Sequence, residues 1–414
     1  MSLNAKLSRR REEDGEAGQP ATFLLMVMSA CAAMSVANVY YAQPLLDTIR
    51  ADLGISVAGA GGIVTATQLG CALVLCLVVP LGDLWNRVRL LLVQLALLLL
   101  TLLFIVWVAS PTLLLLGMAA AGLFGTAMTQ GLIAYSATLA APERRGRVVG
   151  TVQGGVVVGL LLARVLAGCI SDLAGWRAVY LASAGATLTM LLLLARLLPP
   201  RPARRMELSY PMLLHSMWLL LRRERGLQIR GMLALLMFAI LGIFWSAMAL
   251  PLSAEPFGYS HTAIGAFGLV GLVGALAAAK AGRWTDLGLG QRTSAAALLC
   301  MLFAWPLLAW MEHGLWALIV GIILLDMGGQ AIHVVNQGMI FREATTAHSR
   351  LVACYMLFYS LGSGLGAIAA TSVYACLGWQ GVCGLGFGVS MLAVLFWWAT
   401  LERMPETAAA QLAG

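Results

Sequence analysis

Charge is scarce in this sequence. Only 11% of its 414 residues are Asp, Glu, Lys or Arg, less than half of the roughly one quarter that covers the surface of a water-soluble domain. Lysine is almost missing: Lys6 and Lys280 are the only two, and each follows alanine. A Gly-Lys-Ser/Thr phosphate loop is therefore excluded, and with it a nucleotide-driven pump of that type. No HExxH occurs, and no clustered carboxylate pair or GxSxG stands out, which argues against an enzyme. The eight cysteines form no CxxC pair and no Cys/His cluster with zinc spacing, so they are expected to be reduced structural thiols and no metal or cofactor is expected. Cys376 and Cys383 lie near one predicted loop, which leaves a disulfide there as the alternative. The formal charge of +8 sits in short basic clusters between apolar runs, without the continuous basic face that nucleic acid requires.

What is abundant is apolar surface. Hydrophobic residues make up 61% of the chain, accompanied by 45 Gly and 13 Pro, a mixture suited to closely packed membrane helices that sometimes bend. The first run starts near Ala21 behind a polar segment, too late for a signal-peptide core and without a small-residue cleavage site, and is expected to be an uncleaved span. A membrane helix needs roughly 20 apolar residues to cross about 30 Å of hydrocarbon. Runs of that length predict spans near 22–44, 57–80, 90–109, 112–139, 148–170 and 176–197, then near 230–251, 261–281, 293–311, 315–340, 351–375 and 381–400. The expected fold is an all-α membrane protein of twelve transmembrane helices in two pseudo-symmetric six-helix bundles. A cytosolic tail spans 1–20, the bundles 21–198 and 230–402, a linker 199–229, and a second cytosolic tail 403–414.

All but three of the 26 basic residues fall on one side of such a chain: Arg50 and Arg177 are on the other, and Arg164 is inside a span. The positive-inside bias predicts cytoplasmic termini and an even number of spans. In the linker, Leu213, Leu214, Met217, Trp218, Leu220 and Leu221 recur at helical spacing among arginines. That pattern predicts an interfacial helix on the inner leaflet, with a plain solvated linker as the alternative.

An offset of 203 residues brings the halves into register: Asp83 on Asp286, Gly125 on Gly328, Arg147 on Arg350, Gly159 on Gly362 and Gly175-Trp176 on Gly378-Trp379. Gly54 and Ser56 match Gly258 and Ser260 one residue further on. Parallel six-helix repeats of this kind enclose a substrate site near the membrane midplane.

The loops carry a more specific likeness. Gly82-Asp83-Leu84-Trp85-Asn86-Arg87-Val88-Arg89 resembles the loop between helices 2 and 3 of major facilitator transporters, and Gly282-Arg283-Trp284-Thr285-Asp286 resembles its echo between helices 8 and 9. Pro142-Glu143-Arg144-Arg145-Gly146-Arg147 is similar to that family's loop between helices 4 and 5. The resemblance covers about residues 21–402 and implies a gating role at the inner end for Asp83, Arg87, Arg89 and Asp286. Asn86 stands where the motif usually has glycine. The fifth span, with small residues at 155, 159, 163 and 167, resembles the antiporter helix of the twelve-helix drug:proton branch, except that Ala163-Arg164 replaces Gly-Pro.

A charge at the centre of a span costs at least ~2.5–3.5 kcal/mol, so it faces a cavity or a partner. Arg164 and Asp326 are such charges. Gln330, His333 and Gln337 follow Asp326 on one helical stripe, with Asn336 beside it. An acid and an imidazole there suit proton coupling by Asp326 and His333; a helix–helix hydrogen-bond network is the alternative. Arg164 is either a counter-ion for Asp326 or the anchor for a substrate carboxylate or phosphate. Asn38, Tyr40, Tyr41 and Gln43 at the end of the first span, and Gln130 in the fourth, complete the expected substrate-binding set with Gln330, Asn336 and Gln337. Tyr41 would serve an interfacial aromatic belt equally well. Gln68 and Gln153 are weaker candidates.

The expected function is secondary transport of a small molecule across the plasma (bacterial inner) membrane, as proton-coupled efflux by alternating access. Proton-coupled uptake of a polar or anionic metabolite is the alternative. The expected partners are the substrate, protons and the lipid bilayer around a monomer, with no nucleic acid.

Overall fold

A computed structural model describes residues 22–77, 86–140, 144–199, 210–343 and 348–403, and every regular element among them is a helix. Tails 1–20 and 404–414 and the loop with Asp83 lie outside the described residues. Eleven helical stretches are long and apolar enough to cross a bilayer. The last, His348–Thr400, is broken at Gly378 (φ 62°, ψ −159°) and makes two crossings, so the described chain has twelve spans. The first six are Thr22–Asp52, Val57–Leu77, Arg87–Trp107, Pro111–Leu139, Arg145–Ala174 and Trp176–Leu197. The others are Arg225–Ser253, His261–Asp286, Gly290–Ala309, Leu315–Ile340, 348–377 and 379–400. Tyr210–Arg223 forms a separate amphipathic helix, with Leu213 and Met217 buried and Trp218 exposed. We call the side where the first span begins the near side and the opposite one the far side.

Local chemistry sets the span ends. Asn86, where the loop motif usually has glycine, caps the third span: its side-chain oxygen accepts from Val88 N (3.1 Å) and Arg89 N (3.2 Å). Ser260 does the same for the eighth through Ala263 N. The internal repeat reappears as conformation. Gly175 (φ 81°) and Gly378 (φ 62°), as well as Gly54 (φ 65°) and Gly258 (φ 56°), occupy left-handed backbone that L side chains rarely adopt. Each of the first two is followed by a buried tryptophan that ties its turn down: Trp176 Nε1 donates to Asp52 (3.2 Å), and Trp379 Nε1 to Leu308 O (2.8 Å).

Each half has its own apolar core, one built around Met28, Leu95 and Tyr180, the other around Phe244, Met301 and Trp305. Backbones approach closely where side chains are small. A methyl on Gly159 would lie 2.2 Å from Ala33 O of the first span, and one on its repeat mate Gly362 would lie 2.1 Å from Leu235 O of the seventh. This is the small-residue packing that replaces the hydrophobic drive where the solvent is lipid.

The halves meet along the second and eleventh spans, where Gly61 N donates to Thr371 Oγ1 (3.0 Å) and Thr65 Oγ1 to Gly364 O (2.7 Å). The fifth span packs on residues 261–271 of the eighth and parts from the 272–286 segment. Towards the near side, methyls added at Gly146, Gly150 and Gly154 would meet open space. The fifth and eighth spans are thus packed together on the far side and part towards the near side.

Two spans are interrupted where the halves face each other. The first breaks after Tyr40 into a tight turn at Gln43–Leu45 before resuming as Leu46–Asp52, so it extends past residue 44, the end its apolar run suggests. The eighth runs His261–Ala266, tightens over Phe267–Gly271, then continues as Leu272–Asp286. Mid-helix 3₁₀ segments of this kind mark hinges and ligand sites.

Candidate substrate pocket

Both interruptions open onto one narrow pocket of about 80 Å³, lined by Tyr40 and Gln43 on one side, Gly268 and Gly271 on the other, and by the two in-span charges singled out in the sequence, Arg164 and Asp326. The fifth span carries Arg164 to its wall because Gly265 packs against the Arg164 carbonyl, a methyl there lying 2.3 Å from that oxygen. The guanidinium donates through Nε (3.0 Å) and Nη2 (2.8 Å) to the single oxygen Gln43 Oε1. Its flat face lies 3.9 Å from the Trp245 ring centroid and 5.5 Å from that of Tyr40, where cation–π attraction holds it.

Asp326, near the middle of the tenth span, is reached by the same tryptophan, whose Nε1 lies 3.4 Å from Oδ1. Arg164 and Asp326 are 7% and 8% exposed. No ion pair within 4 Å joins them: among the described residues the ion pairs are Arg177–Asp52 and those of His261 with Asp47 and Asp172. Trp245 contacts both charges, its face to the cation and its N–H to the anion. Gln330, one turn along the tenth span, also lines the pocket, as do Phe238 and Tyr359. The Tyr40 and Tyr359 hydroxyls are hydrogen-bonded to each other across the two halves.

The pocket thus gathers Arg164, Asp326, Tyr40, Gln43 and Gln330 from the residues singled out in the sequence. The remaining ones lie elsewhere. His333, about 10 Å along the helix from Asp326 at 1.5 Å per residue, pairs with Tyr355 (3.0 Å) and Gln337 (3.3 Å) and meets the Phe238 edge. Asn336 is buried and accepts from Arg230 (3.3 Å), which also reaches Ser294 (2.9 Å). Asn38 accepts from Ser183 (2.9 Å) inside the first half, and Tyr41 is buried there edge-on to Tyr180. Gln130 is half-buried on the fourth span, outside the pocket lining; Gln68 is buried on the second, and Gln153 is exposed on the fifth. Arg87 and Arg89 begin the third span and Asp286 ends the eighth, all on the near side; Asp83 lies outside the described residues.

Sequence inspection missed several residues. Trp245 is the hub of the pocket, and a tryptophan in mid-span, away from the interfacial belts, was a usable signal. Tyr359 offers the same signal. Arg230, 1% exposed, is a third in-span charge, because the seventh span starts at Arg225 and not at 230.

The far-side closure was also missed. His261 at the start of the eighth span sits between two carboxylates of the first half. Its Nδ1 lies 2.9 Å from Asp172 Oδ1, and its Nε2 lies 3.2 Å from both Asp47 oxygens and 2.8 Å from Thr48 Oγ1. Donation to both carboxylates takes both ring N–H groups, the imidazolium form. Asp172 also accepts from Thr262 N (2.8 Å) and Thr262 Oγ1 (2.6 Å). Three residues from three separate segments give no local pattern to read.

Comparison with known proteins agrees with this architecture. The sequence model of the Major Facilitator Superfamily matches residues 25–286 and 231–413. The uncharacterized transporter YgaY of Escherichia coli O157:H7 is 40% identical over 381 residues, covering 92% of this chain and 96% of that protein. Among solved structures, a bacterial homologue of the human lysosomal transporter Spinster, inward-facing and unoccupied, superposes with a TM-score of 0.75 at 14% identity, covering 92% of this chain and 97% of that one. The nucleoside transporter NupG superposes with a TM-score of 0.72 at 14% identity, covering 91% and 100%. At that identity the likeness is one of fold.

Proposed function

The chain belongs to the Major Facilitator Superfamily, an integral membrane transporter and not an enzyme, and within that family we propose that it couples proton movement to export of a small molecule by alternating access. The observation that carries this reading is Asp326: a carboxylate buried at the centre of a span, facing a pocket between the halves, with no ion-pair partner within 4 Å. An isolated carboxylate in a low-dielectric site gains most from a proton or a cationic ligand. Occupancy by one or the other is the exchange that an antiporter needs. Arg164, which stays charged at any physiological pH, acts as the fixed positive anchor for substrate, assisted by Gln43, Tyr40 and Gln330. His333, Gln337 and Asn336 extend a polar track from the pocket along the tenth span, and His333 relays the proton. Asn38, Tyr41 and Gln130 lie farther off and support the pocket walls.

In this reading the near side is cytoplasmic, where the basic loops lie, and the His261 contacts close the outward side. Arg87, Arg89 and Asp286, with Asp83, form the inner gating loops. The protein works as a monomer in the bacterial inner membrane. Uptake by symport is the second reading, and Arg164 is what favours it: with Asp326 protonated, the pocket carries one net positive charge and suits an anion.

The test is flux in proteoliposomes with an imposed pH gradient, using a ligand selected by thermal stabilisation of the purified protein. Wild type should concentrate the ligand, whereas Asp326→Asn should only equilibrate it. Gradient-driven accumulation by Asp326→Asn would remove Asp326 as the coupling group, and the direction of wild-type accumulation separates export from uptake.

A further inference from the structure

Resting on the assignment of this pocket as the transport site, we propose that its substrates are zwitterions, small molecules that present an ammonium and a carboxylate together. Arg164 and Asp326 face one cavity without a direct ion pair, and Trp245 contacts both. Each charge is incompletely satisfied. Arg164 spends two N–H groups on one oxygen of Gln43, leaving three of the five donors of its guanidinium for a ligand. Asp326 Oδ2 takes no hydrogen bond from a described residue. It faces Gly271, where a methyl would stand only 2.6 Å away, so the absence of a side chain keeps the carboxylate accessible.

Burying either ion alone is unfavourable, and the cost is recovered only when opposite charge and hydrogen bonds reach it. A cationic ligand satisfies Asp326 and leaves Arg164 as it was; an anionic one does the reverse. A ligand with both groups completes both, its carboxylate forked on Arg164 and its ammonium on Asp326. The body between them would lie along Trp245, with Phe238 and the Tyr40–Tyr359 pair around it. The ammonium and a proton then compete for the same carboxylate, and loading substrate ejects a proton. The titratable or charged groups facing Asp326 are Arg164 from the fifth span, Tyr40 from the first and Tyr359 from the eleventh, with His333 two turns along its own helix.

The experiment measures melting of the purified full-length protein in detergent against matched triplets. Each triplet is an α-, β- or γ-amino acid with an aromatic or aliphatic body, its methyl ester (cation only) and its N-acetyl derivative (anion only). The expected result is that at least one free amino acid stabilises wild type at a concentration tenfold or more below its ester and N-acetyl forms. Its affinity should fall at least severalfold from pH 7.5 to pH 5.5, and Arg164→Gln and Asp326→Asn should each remove the preference. If an ester or N-acetyl form stabilises wild type as well as its parent, or if no free amino acid stabilises it, the proposal is overturned. An N-acetyl form favoured by acid overturns it in favour of proton-linked anion binding. The comparison on wild type stands even if a variant fails to fold. No gradient is present, so the outcome is separate from that of the coupling test.

Discussion

Replacing His261 by alanine should loosen the far-side closure by a calculable amount. The imidazole bridges Asp172, Asp47 and Thr48, all within 3.2 Å, with its side chain 21% exposed and those of Asp47 and Asp172 17% and 26%. Hydrogen bonds to charged groups contribute about 1.5–3 kcal/mol each when well buried. Discounted for this partial exposure, the two carboxylate bonds together contribute about 2 kcal/mol to the far-closed state. At 1.4 kcal/mol per factor of ten, the alanine variant should shift the ratio of far-closed to far-open molecules by about 30-fold. Asp172 keeps its two bonds to Thr262, so the fold itself is not at risk. The assay is pulsed electron paramagnetic resonance between spin labels at Ala51 and Glu255, exposed far-side positions in the two halves, on a background without the eight native cysteines. His261→Ala should populate a longer distance at the expense of the shorter one. An unchanged distribution in a folded variant would refute the view that this cluster latches the far side.

Two further outcomes follow from the same geometry. Gly159→Ala and its repeat mate Gly362→Ala should each destabilise by about 1–3 kcal/mol, because the added methyl meets a backbone carbonyl; Gly150→Ala, with nothing within 4 Å, should be neutral or gain about 0.5–1 kcal/mol from helix propensity. Melting temperatures in detergent give the comparison, and equal effects at all three would contradict the packing described. Trp245→Phe keeps the ring under Arg164 but loses the N–H to Asp326, for about 1 kcal/mol or roughly fivefold weaker ligand binding. Trp245→Ala also loses the cation–π contact, about 2 kcal/mol more and roughly 100-fold in total; indistinguishable variants in a binding titration would remove Trp245 as the hub.

The membrane fold was legible because its physics is local. Twenty-residue apolar runs, the side on which arginines fall and the 203-residue echo of Gly175-Trp176 in Gly378-Trp379 need no knowledge of contacts, and the two glycines indeed share a left-handed turn. Arg164 and Asp326 were legible for a related reason: a charge in mid-span must face something polar. What the sequence hid depends on long-range geometry. Gln43 reaches Arg164 only because the first span breaks at Gln43–Leu45, and the apolar run gives no hint that a helix resumes to Asp52. Asn336 shares a helix with Asp326 but turns to Arg230, a partner in the seventh span that sequence spacing cannot reveal. The His261 cluster joins residues 47, 172 and 261, which lie on three different spans far apart in sequence.

The central claim, that Asp326 exchanges a proton for substrate within this pocket, is tested most directly in reverse. Proteoliposomes enclosing a pH-sensitive dye receive only an outside-to-inside ligand gradient, with no pH difference at the start. Because coupling free energy is reciprocal, wild type should move protons opposite to the ligand and shift the internal pH, while Asp326→Asn should carry ligand with no proton movement. Proton flux in the variant equal to wild type, or none in wild type during active ligand flux, would contradict the account.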